Sequence, residues 1–108
     1  MIDWERVREL KLEIGPEDFG DVVAVFLQEA DDVVARLAGL TDARSIENDL
    51  HFLKGSALNL GFADLAQICQ MGELNAAIGA ADVGMQAVLD TYRMSRALFL
   101  GGVGAWAA

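Results

Sequence analysis

The sequence predicts an all-α protein, an antiparallel up-down four-helix bundle with an additional short N-terminal helix. In five successive segments, apolar residues recur at spacings of three and four, the period of a helix with one buried face. The chain has one proline, and it contains no Asn-Gly or Asp-Gly pair of the kind that marks a β-hairpin. Short connections between the predicted helices favour antiparallel neighbours. With 108 residues the chain is long enough for one core but too short for two.

The first two predicted helices cover residues 3–14 and 16–38 and meet at a Gly-Pro pair. Asp3 is suited to cap the first helix, and Gly15 to end it in a left-handed conformation. Pro16 fits the first turn of the second helix, where its missing N–H is not needed. The apolar stripe of the first helix comprises Trp4, Val7, Leu10 and Ile14. That of the second comprises Phe19, Val22, Phe26, Ala30, Val33 and Leu37.

Three further helices are predicted over residues 42–60, 63–80 and 83–100, and Gly61 is suited to end the first of these. The apolar residues of the third helix, over residues 42–60, follow the spacing of a bundle-core seam: Ile46, Leu50, Leu53, Ala57 and Leu60. The residues expected to face the core are, on the fourth helix, Leu65, Ile68, Gly72 and Ala76. On the fifth helix they are Met85, Val88, Tyr92 and Phe99. We therefore expect residues 1–100 to form one domain. Residues 101–108 are expected to be a flexible apolar tail, with a docking contact by Trp106.

Composition and charge exclude several classes of function. A formal net charge of −9 gives a surface that repels nucleic acid and anionic lipid. No segment approaches the roughly 20 consecutive apolar residues that a membrane-spanning helix needs. The charged N-terminal segment is unlike a secretory signal, so we expect a cytoplasmic protein, and the starting Met1 favours one that stands alone. The single cysteine, Cys69, excludes an internal disulfide and a cysteine-based zinc site, and is expected to be a small buried residue.

The third predicted helix places three chemically suited residues on one outer patch. At about 100° per residue, His51 lies roughly 140° from the buried seam and should face solvent. Lys54 and Gly55 follow at i+3 and i+4 and are therefore its neighbours. A neutral imidazole can attack a phosphoryl group, whose negative charge Lys54 would offset. Gly55 costs about 1 kcal/mol relative to alanine inside a helix, and it would give a partner's active site room to approach.

Each of these residues also has a simpler interpretation. An exposed histidine is often a bystander, an exposed lysine a solvated charge, and a glycine within a helix the result of neutral drift. Their occurrence together on one patch favours a site for phosphoryl transfer, but the residues alone leave both interpretations open.

The segment from His51 to Gly61 reads His-x-Leu-Lys-Gly-Ser-Ala-x-x-Leu-Gly. It resembles, at all eight specified positions, the motif of the histidine-containing phosphotransfer (HPt) domain family of bacterial and eukaryotic phosphorelays. The next helix of that family tends to show Leu-x-x-Leu-Cys-x-x-Leu-Glu. Here the corresponding residues are Leu65, Ile68, Cys69, Gly72 and Glu73, with Gly72 where a core leucine is usual.

The resemblance implies a role for each residue of the patch. His51 would carry the phosphoryl group, Lys54 would be its charge partner, and Gly55 would provide clearance. Glu73 would approach the imidazole from the adjacent helix and orient it by accepting its N–H, although it would also repel a bound phosphoryl group. Gly72 departs from the family pattern, and its simplest interpretation is a close crossing of two helices.

The resemblance also implies the partners, which are response-regulator receiver domains and hybrid sensor kinases. The phosphoryl group would pass reversibly between His51 and a receiver aspartate, with Mg²⁺ and most catalytic groups on the receiver. The chain would then be a monomeric phosphoryl carrier rather than an enzyme, with no cofactor of its own. Phe52 and Leu58 lie roughly 120° from the seam, which makes them candidates either for partner docking or for contacts with the second or fourth helix.

Three other functions are weaker alternatives. A degenerate bundle could bind receivers without accepting phosphate, but the intact His51 and Lys54 argue against it. A dimeric histidine phosphotransferase that mimics a kinase core would usually need a longer chain. A metal-binding bundle would need more ligands than one histidine and one cysteine on different faces.

Overall fold

Five α-helices make up the fold in the computed structural model, which describes residues 2–79 and 84–107, with side chains as far as residue 103. The helices are α1 (Trp4–Ile14), α2 (Phe19–Leu37), α3 (Ala43–Leu60), α4 (Ala63–Ala77) and α5 (Met85–Ala107). The four longer helices form the up-down antiparallel bundle, and α1 packs against α2 and α3. The prediction of an all-α bundle with an additional N-terminal helix is confirmed.

Side-chain caps begin α1 and α3, and a glycine follows each helix. Gly61 is left-handed, whereas Gly15, with ψ +144°, does not adopt the left-handed conformation expected of it. The Asp3 carboxylate accepts a hydrogen bond from the backbone N–H of Arg6 at 3.2 Å, and Asp42 accepts one from that of Ser45 at 2.9 Å. Gly15 (φ +96°) follows α1, and residues 16–18 then form a turn. Consequently α2 begins at Phe19, three residues later than the sequence pattern predicts.

The core confirms the predicted seam of α3, because all five of its residues are buried. The predicted stripe of α2 is wrong at two positions. Val22 and Phe26 are only half-buried, whereas Val23 and Leu27 are buried in their place. The buried face is shifted because α2 also packs against α5, whose Tyr92 hydroxyl reaches the backbone oxygen of Leu27 at 3.5 Å.

The turn between α3 and α4 is held against the N-terminus of the chain. The backbone N–H of Asp3 donates to the carbonyl oxygen of Gly61 at 2.7 Å. Gly61 has φ +78°, and a Cβ at this position would lie 2.6 Å from the Asp3 carbonyl oxygen. Both its backbone conformation and this close approach therefore require glycine.

Beyond the turn, aromatic rings fill this end of the bundle. The rings of Trp4 and Phe99 are parallel with centroids 6.2 Å apart, and Phe62 meets Phe99 edge-on at 5.3 Å. Tyr92 is tilted against Phe62 at 6.5 Å. We call these four residues the aromatic end; they link α1, α5 and the start of α4.

The end of α5 differs from the sequence prediction. The helix does not stop near residue 100 but continues to Ala107, through most of the predicted tail. Within this extension, Gly102 packs directly against the Trp4 indole, where a Cβ would overlap the ring. The flexibility of the tail stays a prediction. The proposed contact of Trp106 and the predicted helix ends at residues 80 and 83 lie outside what the structure describes.

Candidate functional site

The outer face of α3 carries the predicted patch. Because the seam of α3 is buried, the opposite face is turned to solvent. The His51 side chain is 69% exposed, and that of Lys54 is 21% exposed. Gly55 is exposed between them and the following turn. The structure therefore places these residues where the helical wheel predicts.

Glu73 of α4 lies within contact of both His51 and Lys54. Its Oε1 atom is 2.5 Å from His51 Nδ1, and its Oε2 atom is 2.8 Å from Lys54 Nζ. An ionised carboxylate only accepts hydrogen bonds, so Nδ1 carries the proton that it donates to Glu73. In the neutral ring the lone pair then resides on Nε2, the nitrogen that does not contact Glu73. Glu73 thus selects the tautomer and orients the ring.

The surroundings of Glu73 favour its charged form. Burial works against the charge, because Glu73 Oε2 is shielded from solvent. The contacts with Lys54 and His51 outweigh this effect and lower the pKa of the carboxyl below its ordinary value. The carboxylate is therefore ionised at neutral pH and remains an acceptor for the imidazole N–H.

Gln70 completes the contacts around Lys54, and the sequence analysis did not identify it. The Lys54 ammonium donates to Gln70 Oε1 at 2.8 Å while it pairs with Glu73. Gln70 precedes Glu73 by three residues, so both side chains lie on the side of α4 that faces α3. This spacing could have indicated Gln70, but glutamine is common on exposed helix faces and nothing else distinguished it.

Gly55 lies in open space. A Cβ built on it would meet nothing within 4 Å, its chain neighbours and the nearby backbone of α3 aside. Among the described residues, none therefore requires glycine at this position for packing. The cost of a glycine within a helix, about 1 kcal/mol, is not recovered by a contact inside the bundle.

Two open grooves flank His51, which forms part of the ridge between them. The groove between α3 and α4 has a volume of about 660 Å³ and includes Arg44, Glu47 and Asn48 of α3 together with Glu73. The groove on the other side, towards α2, has a volume of about 310 Å³. It is lined by Phe26, Glu29, His51, Phe52, Gly55, Ser56 and Asn59. The imidazole can thus be approached from either side.

The two predicted docking residues are both exposed, but they lie on opposite sides of the ridge. Phe52 is 44% exposed and lines the groove towards α2. Leu58 is 58% exposed and lies one helical turn beyond Lys54, on the side of α4. Their exposure leaves them accessible to a partner.

The remaining sequence-based expectations concern Cys69 and Gly72 of α4. Cys69 is fully buried, as expected, and burial raises the pKa of its thiol to about 12. Gly72 is buried on the same helix, at the position where the family usually has a core leucine. Within the described ranges, no group of three or more potential metal ligands is present. The expectation that the chain needs no cofactor stays a prediction.

Comparison with known proteins identifies the family. The sequence model of the Hpt domain matches residues 21–94, which is more than half of the chain and includes α3 and α4 entirely. Searches of curated proteins and of solved structures give no significant match. None of the helices, so far as the chain is described, has the length and apolar character needed to cross a membrane.

Proposed function

The chain belongs to the Hpt domain family, whose members carry phosphoryl groups on histidine in phosphorelays, and from this we propose that His51 is its phosphoryl acceptor. The observation that carries the proposal is the contact between His51 Nδ1 and Glu73 Oε1, which leaves the exposed ring with an available Nε2 lone pair. His51 is also the single histidine of the sequence, and it lies within the matched region.

The proposed reaction is reversible transfer between His51 and the aspartate of a receiver domain. Nε2 attacks phosphorus, the new P–N bond forms, and the P–O bond to the aspartate breaks to release its carboxylate. The Nδ1 proton stays in place throughout. The ring gains positive charge as the P–N bond forms, and the ionised Glu73 stabilises that charge.

Lys54 is proposed to act on the phosphoryl group after transfer. Its ammonium is 2.8 Å from Glu73 Oε2 and 2.8 Å from Gln70 Oε1, beside the imidazole. A phosphoryl group on Nε2 brings about two negative charges to this region. Lys54 can offset that charge, and it also limits the repulsion between Glu73 and the phosphoryl group.

The partner is proposed to supply most of the catalysis. The chain would act as a monomeric carrier with no cofactor of its own, and Mg²⁺ would be held by the receiver. Gly55 would leave space for the receiver's active site above the imidazole, since nothing within the described bundle fills that space. Phe52 and Leu58 would provide apolar contacts on the two sides of His51.

Transfer of radiolabel from phosphorylated receiver domains tests the central assignment. The wild-type chain is expected to become labelled, with label that is lost in acid as a phosphoramidate is. His51→Gln should abolish labelling and leave the circular dichroism spectrum unchanged, because the imidazole is exposed and its replacement removes no core contact. Labelling of the His51→Gln variant would contradict the proposal.

Two substitutions of Glu73 test its positioning role. Glu73→Gln keeps an oxygen that can accept the Nδ1 proton, whereas Glu73→Ala removes it. We expect Glu73→Ala to lower the maximal transfer rate about tenfold, the size of one lost hydrogen bond to a charged group, with the KM for the receiver unchanged. Glu73→Gln should recover part of that loss. If Glu73 had a purely structural role, the transfer rates of both variants would instead fall in proportion to their loss of stability.

A further inference from the structure

We propose that Gln70 is a positioning residue for phosphoryl transfer, because it fixes the direction in which Lys54 can donate to a phosphoryl group on His51. This inference rests on the proposed function of His51 and concerns how the neighbouring cation is held. Gln70 acts through Lys54. Its side-chain oxygen contacts the ammonium, whereas the imidazole is bound by Glu73.

The ammonium of Lys54 has three N–H donors, and two of them are directed towards α4. Lys54 Nζ lies 2.8 Å from Glu73 Oε2 and 2.8 Å from Gln70 Oε1. The bonds of an ammonium nitrogen are arranged tetrahedrally, so two occupied donors determine the direction of the third. One donor therefore remains for a phosphoryl oxygen, and the two acceptors on α4 set where it points.

The helix α4 holds these two acceptors at a fixed separation. Gln70 and Glu73 are three residues apart, a spacing that places their side chains next to each other. Lys54 reaches them from α3 on a flexible four-carbon stem, so a single contact would leave its ammonium free to turn. Its side chain is nevertheless only 21% exposed, which is low for a lysine. The two contacts thus restrain a cation that is flexible by itself.

Lys54 has to serve the phosphoryl group without leaving Glu73. Glu73 Oε2 is shielded from solvent and is paired with the ammonium. If the ammonium moved away, a charged oxygen would lose its partner while still buried, which is strongly unfavourable. The movement left to the ammonium is rotation about its contact with Glu73. The hydrogen bond to Gln70 stops that rotation.

An amide at position 70 suits a site that receives negative charge. A phosphoryl group brings about two negative charges, and the Glu73 carboxylate is already ionised beside it. A second carboxylate in place of Gln70 would hold the ammonium equally well, but it would repel the phosphoryl group. The amide oxygen provides the contact without that repulsion. Glutamine therefore combines the geometry of an acceptor with the absence of charge.

Nuclear magnetic resonance of the lysine ammonium groups tests the positioning without any phosphoryl group. The sequence has two lysines, so Lys11 provides an internal reference for Lys54. We expect Gln70→Leu, which removes the acceptor, to speed the exchange of the Lys54 ammonium protons with water about threefold, whereas Gln70→Glu should keep it slow. The matched control is Gln67→Leu, because Gln67 is exposed one turn earlier on α4 and should leave Lys54 unchanged.

Transfer of label then tests what the positioning is for. With Gln70→Leu, the equilibrium between phosphorylated receiver and phosphorylated chain should shift about threefold towards the receiver. Gln70→Glu should shift it in the same direction by repulsion, although its ammonium stays ordered, and Gln67→Leu should leave it unchanged. Lys54→Met removes the cation through which Gln70 acts. Adding Gln70→Leu to Lys54→Met should therefore have no further effect.

The outcomes separate this inference from the function on which it rests. Label transfer in the wild type, together with unchanged Lys54 ammonium exchange in Gln70→Leu, would overturn the positioning role and leave the assignment of His51 intact. Equal effects of Gln67→Leu and Gln70→Leu would do the same. So would a full effect of Gln70→Leu in the chain that already carries Lys54→Met. Failure of the wild type to accept label would remove both proposals.

Discussion

The aromatic end of the bundle and the surface around His51 both involve α4, yet they are held together by different interactions. At the aromatic end, rings from three parts of the chain contact one another; Phe62 and Phe99 are at most 1% exposed, and Trp4 is partly buried against them. Around His51, polar side chains connect α3 to α4 at the surface. We infer that stability is concentrated in the first region and chemistry in the second, so that each can be altered separately.

Removal of a ring from the aromatic end is expected to have the largest effect on stability. Phe99→Ala leaves a cavity between Trp4 and Phe62, and such a change typically costs about 3–5 kcal/mol. That is a large part of the roughly 5–15 kcal/mol that stabilises a domain. Urea denaturation followed by circular dichroism measures the loss. A loss below about 1 kcal/mol would mean that stability does not depend on this end.

Two glycines, one within α3 and one directly after it, allow stability and phosphoryl transfer to be compared in the same region of the chain. Gly61→Ala forces a Cβ into a left-handed backbone and against the Asp3 carbonyl oxygen, and is expected to destabilise the fold by about 1–3 kcal/mol. Gly55→Ala has open space and helical geometry, and is expected to add up to about 1 kcal/mol of stability.

The variants Gly55→Ala and Gly61→Ala are also expected to differ in their rates of phosphoryl transfer. Gly55→Ala is expected to slow phosphoryl transfer although it stabilises the fold, because the methyl group enters the space left for the partner. Gly61→Ala should transfer at the wild-type rate under conditions where it is folded. Unchanged transfer by Gly55→Ala would show that the partner does not need that space.

Acid should weaken the contact between α3 and α4 at the site. The pKa of Glu73 in the folded protein lies below its ordinary 4.5, so its contacts stabilise the fold fully above that pH. The contribution is lost as the pH falls through the folded-state pKa. Compared by urea denaturation from about pH 7 to about pH 3, Glu73→Gln should be less stable than the wild type at neutral pH and approach it in acid. A difference in the free energy of unfolding that stays constant across this pH range would argue against ionised Glu73 as the source of the added stability.

The smallest effect is expected from a thiol reagent on the folded protein, because its target, Cys69, lies in the core of α4. Burial raises the pKa of its thiol to about 12, so little thiolate forms at neutral pH. A thiol reagent should modify the folded chain very slowly and the urea-unfolded chain completely. Rapid modification of the folded protein would show that α4 opens readily.

A large part of the fold and of the site could be predicted from the sequence. The five apolar residues of the α3 seam and the exposure of His51 and Gly55 follow from one helical period, and the structure agrees at each of them. The period was less informative for α2. There Val23 and Leu27 are buried because α2 has neighbours on two sides, and a single stripe of apolar residues does not describe both contacts.

Other features required the helices to be placed against one another. The family resemblance implied that Glu73 approaches the imidazole, but the spacing within α4 alone gives neither its 2.5 Å distance from His51 nor the contact of Gln70 with Lys54. Beyond residue 100, the close packing of Gly102 of α5 against the Trp4 indole likewise became evident only from the arrangement of the helices. These contacts join residues that are far apart in the chain.

The sequence by itself determined the helical class, the buried seam of α3 and the exposed position of His51, because backbone geometry fixes the direction of each side chain from its position along one helix. The tertiary structure alone decided the orientation of the imidazole and the availability of Nε2. That decision depends on a carboxylate from α4, and its distance from His51 is set by how α3 and α4 pack rather than by either segment alone.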